Sequence, residues 1–301
     1  MLAAGYIYTL VMGGSFVVDQ TCRKVLISDT VGAQLLPTAF AMESLSNSTS
    51  TMLGSQLGGI AIQYLGGHGA YLRVLACMHI FSGVLVYSSP VSRKVKLPDD
   101  VVGVFQQLKE GVDELRRNKV FQSILGVTII GNFWFVGAFF PVMTVLAANM
   151  GLSPTLSGTL GSARGYGGGL AALMLLATAP KRVGMVYWLG IAVSSAVMPI
   201  ATAGIFPIVF AAAAVCGFGI GSFGGMQSAL VIQAVPKEIK GRAVGLLSLA
   251  IGSNVPGTLL FAELTHRIGT YRAMYAFSGI GMVLHLCWYA VRPEAMRIMR
   301  Q

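Results

Sequence analysis

Nine apolar segments, each close to the length of a bilayer-crossing helix, follow one another through this sequence. About 20 apolar residues are needed to cross ~30 Å of hydrocarbon as an α-helix. The pattern therefore predicts an all-α fold, a polytopic membrane helix bundle of about nine transmembrane helices. The segments cover residues 2–18, 43–65, 71–89, 120–140, 154–178, 183–203, 205–231, 243–263 and 271–291.

The second segment is the least apolar, because residues 44–56 are rich in Ser, Thr, Asn and Gly. Small and hydroxyl-bearing residues allow membrane helices to approach closely and to hydrogen-bond across the contact. We therefore expect this helix to face other helices rather than lipid.

Charged residues are scarce and unevenly placed. Only 11% of the residues are charged, against roughly 25% in an ordinary soluble domain. Seventeen of the 21 Lys and Arg residues lie in one set of alternate loops and in the C-terminal tail. Basic loops remain on the cytoplasmic side of a membrane, so the sequence predicts a multi-pass protein of the cell inner membrane, with the N-terminus outside and the C-terminus cytoplasmic.

The placement of the basic residues also indicates which partners the protein binds. A net charge of +10 is compatible with nucleic-acid binding, which needs Lys and Arg clustered on one face, but here the basic residues are dispersed between apolar segments. We expect a lipid bilayer as the partner and no nucleic acid. The four cysteines form no C-x-x-C pair, so neither a metal site nor a disulfide framework is expected. The sequence leaves the oligomeric state open.

The longest polar segment, residues 90–119, separates three apolar segments from six. Within it, apolar residues recur at helical spacing between Val101 and Leu115, which predicts an amphipathic helix on the cytoplasmic surface. A helix that binds a calmodulin-like partner is the alternative. The predicted units are a partial N-terminal bundle (1–89), a linker (90–119) and a C-terminal six-helix bundle (120–301).

A weak internal repeat accompanies this division. Residues 14–16 and Gln20 have counterparts in residues 221–223 and Gln227. Parallel repeats of this kind relate the two halves of some secondary transporters. On this register we expect three further membrane helices before residue 1.

Three motifs resemble those of one transporter family. They are Asp19-Gln20-Thr21-Cys22-Arg23, Gly54-Ser55-Gln56-Leu57-Gly58-Gly59, and Val235-Pro236-Lys237-Glu238-Ile239-Lys240-Gly241-Arg242-Ala243. Together they resemble the drug and siderophore exporter branch of the major facilitator superfamily, although Thr21 and Ser55 replace prolines of the family patterns. The resemblance implies two helix bundles that alternate in access around a central cavity, with an incomplete N-terminal half here.

Within these motifs, eight residues are candidates for gating. Asp19 and Arg23 are spaced i, i+4 and can pair on one helix face, either as a gate latch or as a solvated helix end. The glycines have small-x-x-x-small spacing, which serves tight packing equally well. The full set is Asp19, Arg23, Gly54, Gly58, Gly59, Pro236, Gly241 and Arg242.

Arg164 is the leading candidate for a substrate contact. A cation within a membrane helix costs a few kcal/mol or more unless it faces a cavity or a partner. An anionic substrate group or a carboxylate in the pore would supply that partner. In the alternative, Arg164 lies near the outer interface and extends to water.

Other polar residues are weaker candidates. Glu43 and Glu263 lie at predicted helix ends, as proton carriers or as ordinary interfacial carboxylates. Cavity walls combine apolar surface with a few polar groups, so four residues are candidates for the lining, with helix packing as the alternative. They are Asn132, Trp134, Gln227 and Asn254.

Secondary active transport is the function that these features favour, as proton-coupled efflux of a small organic molecule of the drug or siderophore type, with an antiporter as the expected class. The sequence contains no P-loop and no zinc-protease motif, so we expect no enzyme activity, no cofactor and no metal. The alternatives are a lipid-handling protein such as a lysophospholipid flippase, and a truncated remnant that does not transport.

Overall fold

The computed structural model describes residues 33–88 and 104–298, together with residues 15, 18, 19, 22–24, 26, 27, 30 and 31. In this part of the chain the structure has eleven α-helices and no β-strand, as the all-α prediction requires. The helices are α1 (Leu36–Tyr64), α2 (His68–Ser88), α3 (Val104–Arg117), α4 (Lys119–Ile130), α5 (Gly137–Asn149), α6 (Pro154–Thr178), α7 (Val183–Val197), α8 (Phe206–Ala234), α9 (Lys240–Ile251), α10 (Asn254–Ile268) and α11 (Thr270–Val291).

Six helical segments of the described chain are long and apolar enough to cross a membrane. Helices α1 and α6, with 29 and 25 residues, are also long enough, but their Ser, Thr, Asn and Gly content lowers their hydropathy. The prediction for residues 2–18 falls almost wholly outside the described residues. The six are Tyr71–Ser88, Lys119–Asn149, Val183–Ala203, Phe206–Ala234, Lys240–Ile268 and Thr270–Val291.

Local signals explain why α6 has the predicted bounds. The Ser153 hydroxyl accepts a hydrogen bond from the Leu156 amide at 3.3 Å, and Pro154 occupies the first turn. Both features favour a helix start. At the other end Ala179 has a φ of 42°, and Pro180 follows, so the helix stops at Thr178.

Two of the predicted membrane helices are interrupted. The apolar pattern of the sequence did not predict these interruptions. The segment from Lys119 to Asn149 contains a π-helical stretch at Gly131–Val136 between α4 and α5. Pro141 cannot donate a hydrogen bond to the carbonyl of Gly137, four residues earlier. The Thr258 hydroxyl donates to that carbonyl instead, at 2.8 Å. A freed backbone group within a membrane protein is thus satisfied by a neighbouring helix.

The second interruption lies between α9 and α10, at Gly252 and Ser253. Pro256 stands four residues after Gly252 and cannot donate to its carbonyl. Ser253 donates through its hydroxyl to the Ile129 carbonyl at 3.2 Å, which ties this break to the end of α4.

Helix α1 begins at Leu36, seven residues before the predicted start at Glu43. It packs along α6 and also contacts α8, which in turn contacts α6, α7 and α9. The predicted close contact of this polar helix with other helices is therefore present. Because the helix begins early, Glu43 lies inside it rather than at its end.

The amphipathic linker helix is present as α3. It contacts α9, where Gly111 faces the side chain of Leu246 and Glu110 forms an ion pair with Arg242. The Asn118 amide nitrogen donates to the Ala234 carbonyl at 2.7 Å. These contacts hold α3 against the adjoining ends of α8 and α9. The division into three and six membrane helices stays a prediction.

Candidate functional site

A cavity of about 490 Å³ lies between α1, α6 and α8. Its volume falls within the range of ~300–1,000 Å³ that is typical of small-molecule sites. We call it the α1–α6–α8 cavity and define it by its polar lining. That lining includes Lys24, Glu43, Asn47, Thr51, Arg164 and Gln227.

Glycines of the cavity wall bring neighbouring helices close together. A Cβ on Gly165, Gly217 or Gly221 would lie less than 3.0 Å from backbone atoms of another helix. The described glycines of the wall belong to α6 and α8. They are Gly165, Gly168, Gly217, Gly221, Gly224 and Gly225.

Arg164 extends into the cavity from the middle of α6. Its guanidinium donates to the Thr51 hydroxyl of α1 at 2.9 Å, and its central carbon lies 4.9 Å from the centre of the Phe140 ring. Such cation–π contacts add modest stabilisation. Among the described residues no carboxylate pairs with this cation. Arg164 therefore carries a charge that has a hydroxyl and a ring as neighbours but no counter-ion.

Glu43 lines the same cavity. One of its carboxylate oxygens is buried and has no hydrogen-bond partner in the described structure. The charged groups that act on it are Lys24, Arg23 and Asp19. Burial lowers the pKa of the Lys24 ammonium, while the Glu43 carboxylate opposes that effect. Lys24 and Glu43 therefore interact electrostatically within the cavity.

Of the four residues predicted to line a cavity, the structure brings only Gln227 to this one. Asn132 is buried in the π-helical stretch and donates to the Thr128 carbonyl at 2.8 Å. Trp134 packs on Phe277, with 4.9 Å between ring centres. Asn254 is the first residue of α10. The last three are absent from the described lining.

The two candidate proton carriers lie in different surroundings. Glu43 lines the cavity, whereas Glu263 does not. Glu263 lies on an exposed part of α10, where it accepts a hydrogen bond from Arg267 at 2.5 Å. Its charge is already matched by an exposed arginine on the same helix.

The glycines of the second motif have different surroundings. A Cβ on Gly59 would lie 3.0 Å from the Cα of Gly158 and would overlap the Pro154 carbonyl, so here α1 and α6 touch backbone to backbone. Gly58 faces the Tyr71 ring, and Gly54 has no neighbour within 4 Å of a Cβ. Of these three glycines, Gly59 is the one that the described structure shows in close contact with the backbone of another helix.

The other gating candidates are absent from the described lining of the cavity. Asp19 and Arg23 form an ion pair, as their i, i+4 spacing predicts. Arg242 pairs with Glu110 of α3. Pro236 is exposed in the turn between α8 and α9, and Gly241 has no neighbour within 4 Å of a Cβ.

Two residues of the site were missed by sequence analysis. The sequence shows Lys24 only as one of many loop cations, and Thr51 only as part of a polar segment. The signal for Thr51 was present, because the polar segment of α1 was expected to face other helices. What the sequence does not contain is the pairing of Thr51 with Arg164, 113 residues away.

Metal chemistry finds no support in the described residues, where no three His, Cys, Asp or Glu side chains come together.

Comparison with known proteins adds one match. The sequence profile of the Major Facilitator Superfamily matches residues 4–253, which is most of the chain. A search of curated proteins found no significant match.

Proposed function

Because the chain belongs to the major facilitator superfamily and is a multi-pass helical membrane protein, we propose that it exports a small organic molecule across the cell inner membrane by alternating access. In this proposal the exported molecule binds in the α1–α6–α8 cavity, and Glu43 carries the proton that is coupled to export.

The observation that carries the proposal is Arg164. A guanidinium inside a membrane helix is costly unless a partner compensates its charge. In the described structure Arg164 has only the Thr51 hydroxyl and the Phe140 ring, and it faces a cavity large enough for a small molecule. A transported molecule that enters the cavity supplies the counter-ion that the described residues do not provide.

The position of the cavity along the helices supports alternating access. Most of its lining residues on α1 and α8 come from the first half of α1 and the second half of α8, which are the halves nearest to the basic loops. The contact between Gly59 and Gly158 lies in the opposite halves of α1 and α6. With the basic loops in the cytoplasm, the N-terminus is outside, the C-terminus is inside, and the cavity lies toward the cytoplasmic ends of α1 and α8.

Two contacts on the cytoplasmic side are suited to control the change of access. They are the Asp19–Arg23 pair and the Glu110–Arg242 pair. The second joins the linker to the C-terminal bundle, in a protein whose units we place at residues 1–89, 90–119 and 120–301. The resemblance of the motifs to drug and siderophore exporters supports efflux as the direction.

Flux through proteoliposomes tests the proposal. Vesicles that contain the purified chain are loaded with a panel of small organic dyes and iron-chelating acids, and release is followed with and without a pH gradient. We expect faster release than from empty vesicles, and a response to the gradient. No release above that of empty vesicles for any compound would overturn the proposal.

Matched pairs of variants test the roles of Arg164 and Glu43. Arg164→Gln removes the cavity cation, whereas Arg267→Gln removes an exposed arginine on α10. Only the first is expected to lower release, by about tenfold or more, because a charge-assisted contact is worth about 1.5–3 kcal/mol. Similarly, Glu43→Gln is expected to abolish the response to the pH gradient, and Glu263→Gln to preserve it. Equal effects within either pair would contradict the assignment.

A further inference from the structure

Among the described residues, the charges of the α1–α6–α8 cavity do not balance. The described lining contains two cations, Lys24 and Arg164, and one carboxylate, Glu43. The lining residues that α8 contributes are glycines, Ile220 and Gln227, none of which is charged. With all three groups ionised, the cavity has an excess of one positive charge.

The two cations are not equivalent. Lys24 has a carboxylate close enough to act on it, that of Glu43. Arg164 has none among the described residues, and its one side-chain hydrogen bond in that part of the chain goes to the neutral Thr51 hydroxyl. A guanidinium presents five N–H donors in a planar fork that matches carboxylate, sulfonate and phosphate groups. Within the described part of the chain, most of these donors have no acceptor.

From this imbalance we propose that the transported molecule is a small organic anion, that Arg164 binds its acidic group, and that the anion binds together with a proton on Glu43. This inference rests on the proposed function, since it assigns the substrate class and the proton stoichiometry of the same cavity.

The link between anion and proton follows from electrostatics. Among the described residues, the charged groups that act on Glu43 are Lys24, Arg23 and Asp19 from the N-terminal segment, and Arg164 of α6 lines the same cavity. A bound anion adds negative charge to this set and competes with Glu43 for Lys24. A nearby like charge favours the neutral form of a carboxyl group. The bound anion therefore draws a proton onto Glu43, and by linkage that proton strengthens anion binding.

The sign of this coupling has a consequence for transport. A monovalent anion and one proton cross together without net charge, so the membrane potential does no work on the pair, and a pH gradient that is acid outside opposes their export. This coupling differs from the exchange of substrate for protons that the motif resemblance implies. A cationic substrate would behave in the opposite way, because it would displace the proton from Glu43. The coupling sign thus separates an anion carrier that moves a proton with its substrate from an exchanger of cations for protons.

Binding to the purified chain in detergent tests the inference without any requirement for transport. Equilibrium dialysis compares three radiolabelled probes that share one ring: benzenesulfonate, neutral benzenesulfonamide and cationic phenyltrimethylammonium. Naphthalenesulfonate and benzoate are included as further anions. We expect at least one anion to bind at least about tenfold more tightly than the neutral and cationic probes, because a charge-assisted contact contributes enough free energy for a tenfold difference in affinity. Failure of every anion to bind, or equal binding of the neutral or cationic probe, would overturn the inference.

Proton uptake during binding is measured with an indicator dye in weakly buffered solution. We expect uptake of up to about one proton per anion bound. Glu43→Gln should remove the uptake and keep anion binding, Arg164→Gln should weaken binding by about tenfold or more, and Glu263→Gln should change neither. Proton release, or unchanged uptake in Glu43→Gln, would refute the coupling. Anion binding without flux would contradict the proposed function alone, whereas flux of other compounds without anion binding would contradict this inference alone.

Discussion

Two groups of helices in this protein differ in what fills the space between them. Helices α1, α6 and α8 meet through glycines, and a polar cavity lies between them. Helices α4, α5, α7, α10 and α11 also have close glycine contacts among themselves or with α8, such as that of Gly190 of α7 with Gly219 of α8, but buried rings fill much of the space between them, and we call them the ring-packed group. Close backbone contact through glycine leaves few side chains to fill the space between helices, whereas large rings fill it and fix one arrangement.

Specific contacts illustrate the ring-packed group. The buried Tyr187 ring of α7 stacks on Phe223 of α8, with 4.9 Å between ring centres and 14° between ring planes. Phe277 of α11 contacts Trp134 and, edge to face at 5.2 Å, Phe261 of α10. This group is suited to act as a rigid body. The glycine-mediated group is suited to change its spacing around a bound molecule.

The largest expected effect is at Gly165. A Cβ there would lie 2.5 Å from the Met52 amide nitrogen and 2.6 Å from the Ser48 carbonyl oxygen. Backbone atoms cannot yield as a side chain can, so Gly165→Val should force α1 and α6 apart. We expect a loss of about 3 kcal/mol of stability, at the upper end of ordinary overpacking, measured as thermal unfolding in detergent.

Gly54→Val is the matched control, because nothing lies within 4 Å of a Cβ at that position of α1. A similar loss of stability in both variants would show that general helix effects of valine, and not contact between the two backbones, cause the change.

A smaller effect is expected in the ring-packed group, at Tyr187. Its hydroxyl lies 2.8 Å from the Thr128 hydroxyl and 2.9 Å from the Ile124 carbonyl oxygen. Tyr187→Phe keeps the stacked ring and leaves buried polar atoms unpaired, which costs about 1–3 kcal/mol. Thermal unfolding should show this loss, while anion affinity should not change. An altered affinity would mean that the ring-packed group contributes directly to binding. Tyr271→Phe, on the exposed surface of α11, serves as control.

The smallest effect is expected at the contact between the linker and α9. The Glu110–Arg242 pair is partly exposed, and such pairs contribute about 0–1 kcal/mol. A double-mutant cycle of Glu110→Gln and Arg242→Gln should give a coupling free energy of unfolding in that range. Transport rate should respond more than stability, if the pair controls access. A coupling of several kcal/mol would instead identify the pair as a main element of the fold.

Local patterns were sufficient for much of the fold. The bounds of α6 follow from Ser153 and Pro154 at its start and from Pro180 after its end. The amphipathic pattern of the linker correctly predicted α3. The prediction for α1 began seven residues late, although residues 36–42 are mostly apolar and Pro37 lies in the first turn, where proline is favoured.

The breaks in two helices had a local cause that the sequence contains. Pro141 and Pro256 each free a carbonyl four residues earlier, but the nature of the adjustment depends on partners elsewhere in the chain. Thr258 satisfies one carbonyl across 121 residues of sequence. Hydropathy alone therefore predicts these membrane segments but does not predict their interruptions.

The candidate site could be predicted only in part, because the sequence does not show which distant residues become neighbours. Arg164 is anomalous by itself, as a cation within a membrane helix, so sequence alone identified it. Asn132 and Trp134 are polar or aromatic residues on a similarly apolar helix, and only the packing of that helix decides which neighbours they have. Lys24 belongs to the site through the position of the N-terminal segment, which no local pattern specifies.

The central claim is that the transported molecule occupies the α1–α6–α8 cavity. The most direct measurement uses a variant without native cysteines that carries Asn47→Cys in the cavity lining, with Thr49→Cys, which lies outside that lining, as control. The rate of reaction with a polar maleimide is measured with and without the transported anion. We predict that the anion slows the reaction at position 47 in proportion to its occupancy and leaves position 49 unaffected. An unchanged rate at position 47 with saturating anion would contradict the claim.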